Sequence, residues 1–175
     1  MPKLRKMLGD INSLSCRRLM DLISTQSHRN LSGWAIQRAQ RRYLPIYKKL
    51  HPEDTRLDRC VEECMGFSEG TIKAAKLRAI LKESADAAKQ AVTDPISEAA
   101  ARAVAVACAS VRTPTNTLGF LFYGAAAVAY DSIGTEQSRL EYEKLAEIEL
   151  NDAYDELKSI AVENEPNPAD IDWNC

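Results

Sequence analysis

The sequence predicts an all-α protein, a single-domain helical bundle of about seven helices with a central hairpin of Ala/Gly-rich helices. Composition favours helix, because glycine and proline occur only seven times each and aromatic residues make up 6%, while Ala, Leu, Glu, Lys and Arg are abundant. Apolar residues also recur at helical spacing along most of the chain. With 175 residues, 45% of them apolar, the chain has the size and composition of one domain with its own core.

The predicted domain covers residues 1–163 and opens with a basic N-terminal helix, residues 1–26. Leucine and isoleucine recur at helical spacing from Lys3 to about Ser24, with arginine and lysine between them. Because the apolar positions fall on one face, we expect this helix to lie on the surface of the bundle with its charges in solvent.

Residues 27–134 form the predicted core of the domain, and caps and breakers divide them into helices. Ser27 is a suitable N-cap, and Pro45 should kink the helix that follows, since a proline inside a helix removes a hydrogen bond. Thr71 can cap the fourth helix. The pair Asp94-Pro95 marks a clear new start, because a capping residue precedes proline in the first turn.

The central hairpin is predicted from two segments, Ile96–Val111 and Leu118–Ile133, which are apolar on nearly every face. A helix of this kind belongs at the centre of a bundle. Residues 113–116 join the two segments, and Gly134 ends the second. Small residues should let the backbones approach closely: Ala99, Ala100, Ala103, Ala107, Gly119, Gly124 and Ala127.

The end of the chain is acidic. Residues 135–163 read as a charged amphipathic helix and residues 164–175 as a polar, solvated tail. Residues 1–50 hold eleven Lys/Arg against two acids, whereas residues 131–175 hold three against thirteen. We expect the two ends to pack together and neutralise each other. The alternative is that each charged region faces a partner.

No catalytic apparatus is recognisable, so the sequence predicts a protein that is not an enzyme and that has no catalytic residues. The two histidines, His28 and His51, sit at predicted helix boundaries, where capping or solvation is the expected role. No phosphate loop, dinucleotide fingerprint, nucleophile elbow or His-Glu-x-x-His motif occurs.

Five cysteines, irregularly spaced, without a secretory signal, predict reduced thiols and a cytoplasmic protein. Cys60 and Cys64 lie four apart on one helix face, but no second Cys/His pair accompanies them, and a tetrahedral zinc site needs four ligands. Small buried thiols are therefore expected, with no metal and no cofactor. The most apolar stretch, residues 117–130, is shorter than the roughly 20 residues that span a bilayer.

From Ser32 to about Ala129 the chain shares sequence features with one bacterial family. They are Trp34-Ala35, Arg38-Ala39, Leu44-Pro45-Ile46-Tyr47, Pro52-Glu53-Asp54-Thr55-Arg56, Gly66-Phe67-Ser68-Glu69-Gly70, Ala99-Ala100-Ala101-Arg102-Ala103, Leu118-Gly119 and Tyr123-Gly124-Ala125-Ala126. Through them the chain resembles the Imm5-like immunity proteins of bacterial polymorphic toxin systems. The resemblance implies an all-helical protein that neutralises a toxin by binding it. That family's Ala-rich helices usually carry histidines where this chain has Val106, Arg112 and Asn116, so no role of those histidines carries over.

The resulting hypothesis is a non-enzymatic protein-binding module, an immunity protein that neutralises a cognate bacterial toxin by stoichiometric binding. Toward a nuclease toxin, acids of the last helix would mimic phosphates and speed association. Trp34 is predicted as a core anchor, with partner contact as its alternative, and Asp54 with Arg56 either organises a turn or contacts a partner. The partner-interface candidates are Trp34, Asp54, Arg56, Glu141, Glu143, Glu147, Glu149 and Asp152.

Three alternatives stay open. One is a structural or assembly protein, a homodimer formed through the helix of Trp34, Tyr43 and Tyr47. Another is a small-ligand-binding protein with a pocket between the Ala-rich helices. The third is a nucleic-acid-binding protein using the basic N-terminal region, which the isoelectric point of about 5.8 and the lack of a known DNA-binding motif disfavour.

Overall fold

The computed structural model describes residues 3–70 and 73–173 and confirms the all-α fold. Within that part of the chain every regular element is a helix. The eight helices are α1 (Leu14–Ile23), α2 (His28–Arg42), α3 (Leu44–Lys48), α4 (Arg56–Ser68), α5 (Ala74–Gln90), α6 (Pro95–Ala109), α7 (Asn116–Ile133) and α8 (Arg139–Ile160). None of these described helices combines the length and the hydrophobicity needed to cross a membrane.

The central hairpin forms as predicted, and the other helices surround it. Helices α6 and α7 pack along each other, α2 to α5 cover α6, and α8 covers α7. Gly124 lies where α7 meets Tyr43, and a Cβ atom at this position would overlap the Tyr43 ring. The small residue is therefore required for the close approach of α7 to the junction of α2 and α3.

Two of the predicted caps, Ser27 and Asp94, start helices as expected. The side chain of Ser27 accepts a hydrogen bond from the Asn30 amide, and Asp94 accepts from the amides of Ile96 and Ser97. At Pro45 the predicted kink becomes a change of helix, because α2 ends at Arg42 and α3 begins at Leu44. The predicted cap Thr71 lies outside the described residues.

The prediction of a helix from Lys3 was wrong, because α1 begins only at Leu14. The preceding segment crosses α7 in a non-helical conformation: the amide of Leu8 donates to the Phe122 carbonyl at 3.1 Å, and Leu8 is buried. Gly9 follows with φ of 113°, a left-handed conformation that ends any continuous helix here. Ser13 then caps α1.

The C-terminal elements also differ from the prediction. Helix α8 begins after Ser138, whose capping box with Glu141 supplies a better start than Thr135. The tail is not free in solvent. The amide of Ala169 donates to the Gln26 carbonyl at 2.8 Å, and Trp173 Nε1 donates to Ser24 Oγ at 3.1 Å. The tail docks because it carries apolar side chains that pack against the core beside α1.

Candidate functional site

Trp34 lies in the core, as the anchor interpretation predicts. It is 3% exposed and packs edge-on against Phe120, with ring centroids 5.5 Å apart. Its indole Nε1 is buried without a hydrogen-bond partner among the described residues. Tyr43 and Tyr47 are buried as well, so the helix surface expected to form a homodimer is covered by the chain itself.

Asp54 and Arg56 organise the turn that precedes α4. Asp54 Oδ2 accepts from Arg56 Nη2 at 2.7 Å and from the Tyr47 hydroxyl at 2.6 Å. Hydrogen bonds from Arg56 are the main reason that the pKa of Asp54 lies well below its ordinary value. Both side chains keep part of their surface in solvent, so contact with a partner stays a prediction.

The predicted interface acid Glu149 is buried in a network with basic residues of α2. Arg38 is fully buried, and its Nη2 lies 2.6 Å from Glu149 Oε1. Arg42 Nη2 donates to Glu149 Oε2 at 2.6 Å, and the Tyr43 hydroxyl donates to Oε1 at 2.7 Å. Asp152 and Glu156 complete the acidic side of the network around Arg38.

The network keeps Glu149 ionised. Burial alone would raise the pKa of Glu149, but hydrogen bonds from Arg42, the charge of Arg38 and the Tyr43 hydroxyl hold it below its ordinary value. Burial raises the pKa of Tyr43, so its hydroxyl keeps its proton and remains a donor. The predicted neutralisation of the two ends of the chain is confirmed by these contacts between α2 and α8.

Other acids of α8 also contact the chain itself. Glu143 pairs with Arg5 at 3.3 Å, and the Ser15 hydroxyl donates a bifurcated hydrogen bond to the Glu147 carboxylate, with Oγ 2.8 and 2.9 Å from its two oxygens. Glu141 closes the capping box. Helix α8 therefore does not present a cluster of free carboxylates. Arg38, Arg41 and Arg42 of α2 are paired with its acids and are not available to phosphates.

One exposed strip of α8, with apolar and acidic side chains and a single lysine, is named here the outer face. Its apolar members are prominent, since Leu140 is 65% and Ile148 64% exposed. The Asp152 side chain is 56% exposed despite its contact with Arg38. The outer face consists of Leu140, Lys144, Ile148, Asn151, Asp152 and Asp155.

A second cluster brings together residues that are distant in sequence. Cys60 and Cys64 of α4 meet Cys108 of α6, and their three sulfur atoms all lie within 4.8 Å of one another. All three are buried, as the sequence predicts for Cys60 and Cys64. The i, i+4 spacing signalled the first two, but no sequence pattern placed Cys108 beside them. The histidines lie elsewhere: His28 Nε2 donates to the Ser110 carbonyl at 2.5 Å, and His51 stacks on Tyr47.

The fold defines an all-helical, single-domain protein in which arginines of α2 pair internally with acids of α8. The family model described as "Imm-5 like putative immunity protein" matches residues 21–153, from within α1 to well along α8. The chain belongs to that family, which confirms the resemblance seen in the sequence. No curated protein and no solved structure matches the chain.

Proposed function

We propose that this protein neutralises a cognate bacterial toxin by stoichiometric, non-catalytic binding in the cytoplasm. Membership of the Imm-5 like family across residues 21–153 carries the proposal. The partner is a protein, and the interaction is occlusion of the toxin rather than chemistry on it. The structure supplies a surface suited to such a contact.

The outer face of α8 is the proposed toxin-binding surface. Leu140 and Ile148 offer exposed apolar area, with Ile148 in the middle of the strip and Leu140 at its N-terminal end, while Asp152 and Asp155 add negative charge beside Ile148. Protein interfaces commonly join an apolar centre to a polar rim. The complementary partner surface is apolar with basic residues around it, a charge distribution typical of proteins that bind phosphates, such as nucleases.

The buried network supports this role by fixing α8 in place. Arg38 and Arg42 of α2 hold Glu149, and Arg38 also reaches Asp152 and Glu156. A side chain presented from a rigid, packed helix loses less conformational entropy on binding than one presented from a loop. We infer that Glu149, one of the acids predicted to contact the partner, positions the outer face and does not itself touch the toxin.

Co-expression with the toxin gene found beside this gene in the native host tests the proposal. We expect growth to be rescued, and purified proteins to form a 1:1 complex by light scattering. An absence of both protection and complex formation would exclude the proposed function. Rescue accompanied by turnover of a small molecule would exclude the non-catalytic mechanism.

Substitutions on the outer face test the proposed surface. Ile148→Lys should weaken the complex by roughly 2 kcal/mol or more if Ile148 is a central contact. Asp155→Lys should mainly slow association and weaken its salt dependence. Val92→Lys is the matched control, because Val92 is similarly exposed (54%) but precedes α6. Equal effects of the Ile148 and Val92 changes, measured by calorimetry, would place the interface elsewhere.

A further inference from the structure

We propose that Cys60, Cys64 and Cys108 form a binding site for a soft, monovalent d¹⁰ metal ion, Cu(I). Their sulfur atoms come from two helices, α4 and α6, and meet inside the bundle with all three residues 0% exposed. The site is independent of toxin binding, because it lies in the core, away from the outer face of α8.

The spacing of the sulfur atoms suits an ion at their centre. Sγ of Cys60 lies 4.0 Å from Sγ of Cys64, and all three atoms are within 4.8 Å of one another. Metal–thiolate bonds of about 2.3 Å place the sulfurs of a trigonal site about 4 Å apart. Small side-chain rotations that draw Cys108 inward would therefore complete a three-sulfur ring.

The donor set selects the kind of ion. The cluster within the described residues consists of three thiols and holds neither histidine nor carboxylate. Zinc in structural sites takes four ligands, whereas Cu(I) is a soft ion that prefers thiolates and is satisfied by trigonal coordination. The nearby hydroxyl of Ser84 is a hard donor, which Cu(I) disfavours.

Loading of the site releases protons. Cu(I) would replace the protons of the Cys60, Cys64 and Cys108 thiols, which leave to solvent, and no electron is transferred.

A cavity of about 200 Å³ lies between α5, α6 and α7, and Ser84 forms part of its wall. Ser84 is also a neighbour of Cys60, so the cavity approaches the cluster, although none of the three cysteines lines it. A small-ligand pocket between the Ala-rich helices α6 and α7 was one of the alternatives, and this cavity adjoins both helices.

Titration of the reduced full-length protein with Cu(I) under anaerobic conditions tests the site. The background carries Cys175→Ser, which removes a cysteine outside the described residues. We expect one Cu(I) per chain in competition with a chromophoric chelator, three sulfur neighbours at about 2.3 Å by X-ray absorption, and a raised melting temperature. Zinc(II) should bind far more weakly. Sub-stoichiometric copper, fewer than three sulfur neighbours, or tighter zinc binding would overturn the proposal.

Matched variants locate the ion. Cys108→Ala should weaken Cu(I) binding by more than the roughly 100-fold typical of losing an outer-shell partner. Cys16→Ala is the control, since Cys16 is equally buried but lies in α1. Equal affinity of the two variants would refute the site. If Cys108→Ala does not fold, Cys64→Ala serves the same comparison, and the absorption spectrum of the parent protein decides independently.

Discussion

Replacing Glu149 with glutamine removes one negative charge from the buried network while keeping the size of the side chain. The carboxylate accepts from Arg38 Nη2 at 2.6 Å, from Arg42 Nε at 3.0 Å and Nη2 at 2.6 Å, and from the Tyr43 hydroxyl at 2.7 Å. A glutamine amide can accept only part of this set, and its NH₂ group would face other donors.

The expected loss is about 3 kcal/mol of the free energy of unfolding. Removing one partner of a buried ion pair costs roughly 3–5 kcal/mol, because the remaining charge is left without compensation. The lower end of this energy range applies to Glu149→Gln, because Arg38 keeps Asp152 and Glu156 as partners. The change should appear as a lower midpoint in urea unfolding with an unchanged slope.

Asp155→Asn is the control for this measurement, because Asp155 is exposed on the same helix. Its effect should stay within about 0.5 kcal/mol. A change below about 1 kcal/mol for Glu149→Gln would refute the claim that the network fixes α8 to α2. Equal losses in both variants would show that the effect reflects net charge instead.

The stabilities of the parent protein and of Glu149→Gln should depend differently on pH. The pKa of Glu149 is lower in the folded state than its ordinary value of 4.5, so its contribution is fully present above about pH 4.5. It is lost as the pH falls through the folded-state pKa. The stability difference between the parent protein and Glu149→Gln should therefore shrink on acidification, and a difference that grows below pH 4 would contradict this assignment.

Four further substitutions test the packing. Gly124→Ala should destabilise the protein by about 1–3 kcal/mol, because the added methyl group would overlap Tyr43. Gly33→Ala has open space around the added Cβ and should stabilise α2 by up to about 1 kcal/mol. Thermal unfolding in which both changes act alike would contradict this reasoning. Trp34→Ala should cost roughly 3–5 kcal/mol by chemical denaturation, and an unchanged melting temperature would remove Trp34 from the core. Trp173→Ala should increase proteolysis of the C-terminal segment with little loss of global stability; unchanged cleavage would mean that docking does not depend on Trp173.

The assignment of the acids shows the limit of reasoning from the sequence. Glu149 and Asp152 were both candidates for partner contact, yet one is 2% exposed and the other has a side chain 56% exposed. Helical periodicity assigns both to one charged amphipathic helix, but it does not say which neighbour covers which side. Only the position of Arg38 on α2, 111 residues away in sequence, decides that Glu149 is internal.

The sequence by itself determined the all-α class, the central hairpin and helix starts such as Ser27 and Asp94, because periodicity and capping act between residues a few positions apart. The tertiary structure alone decided the non-helical path around Leu8, the docking of Trp173 and the meeting of Cys108 with the cysteines of α4. These features depend on side chains brought together from distant parts of the chain. Their contact follows from how the helices pack, which no local pattern encodes.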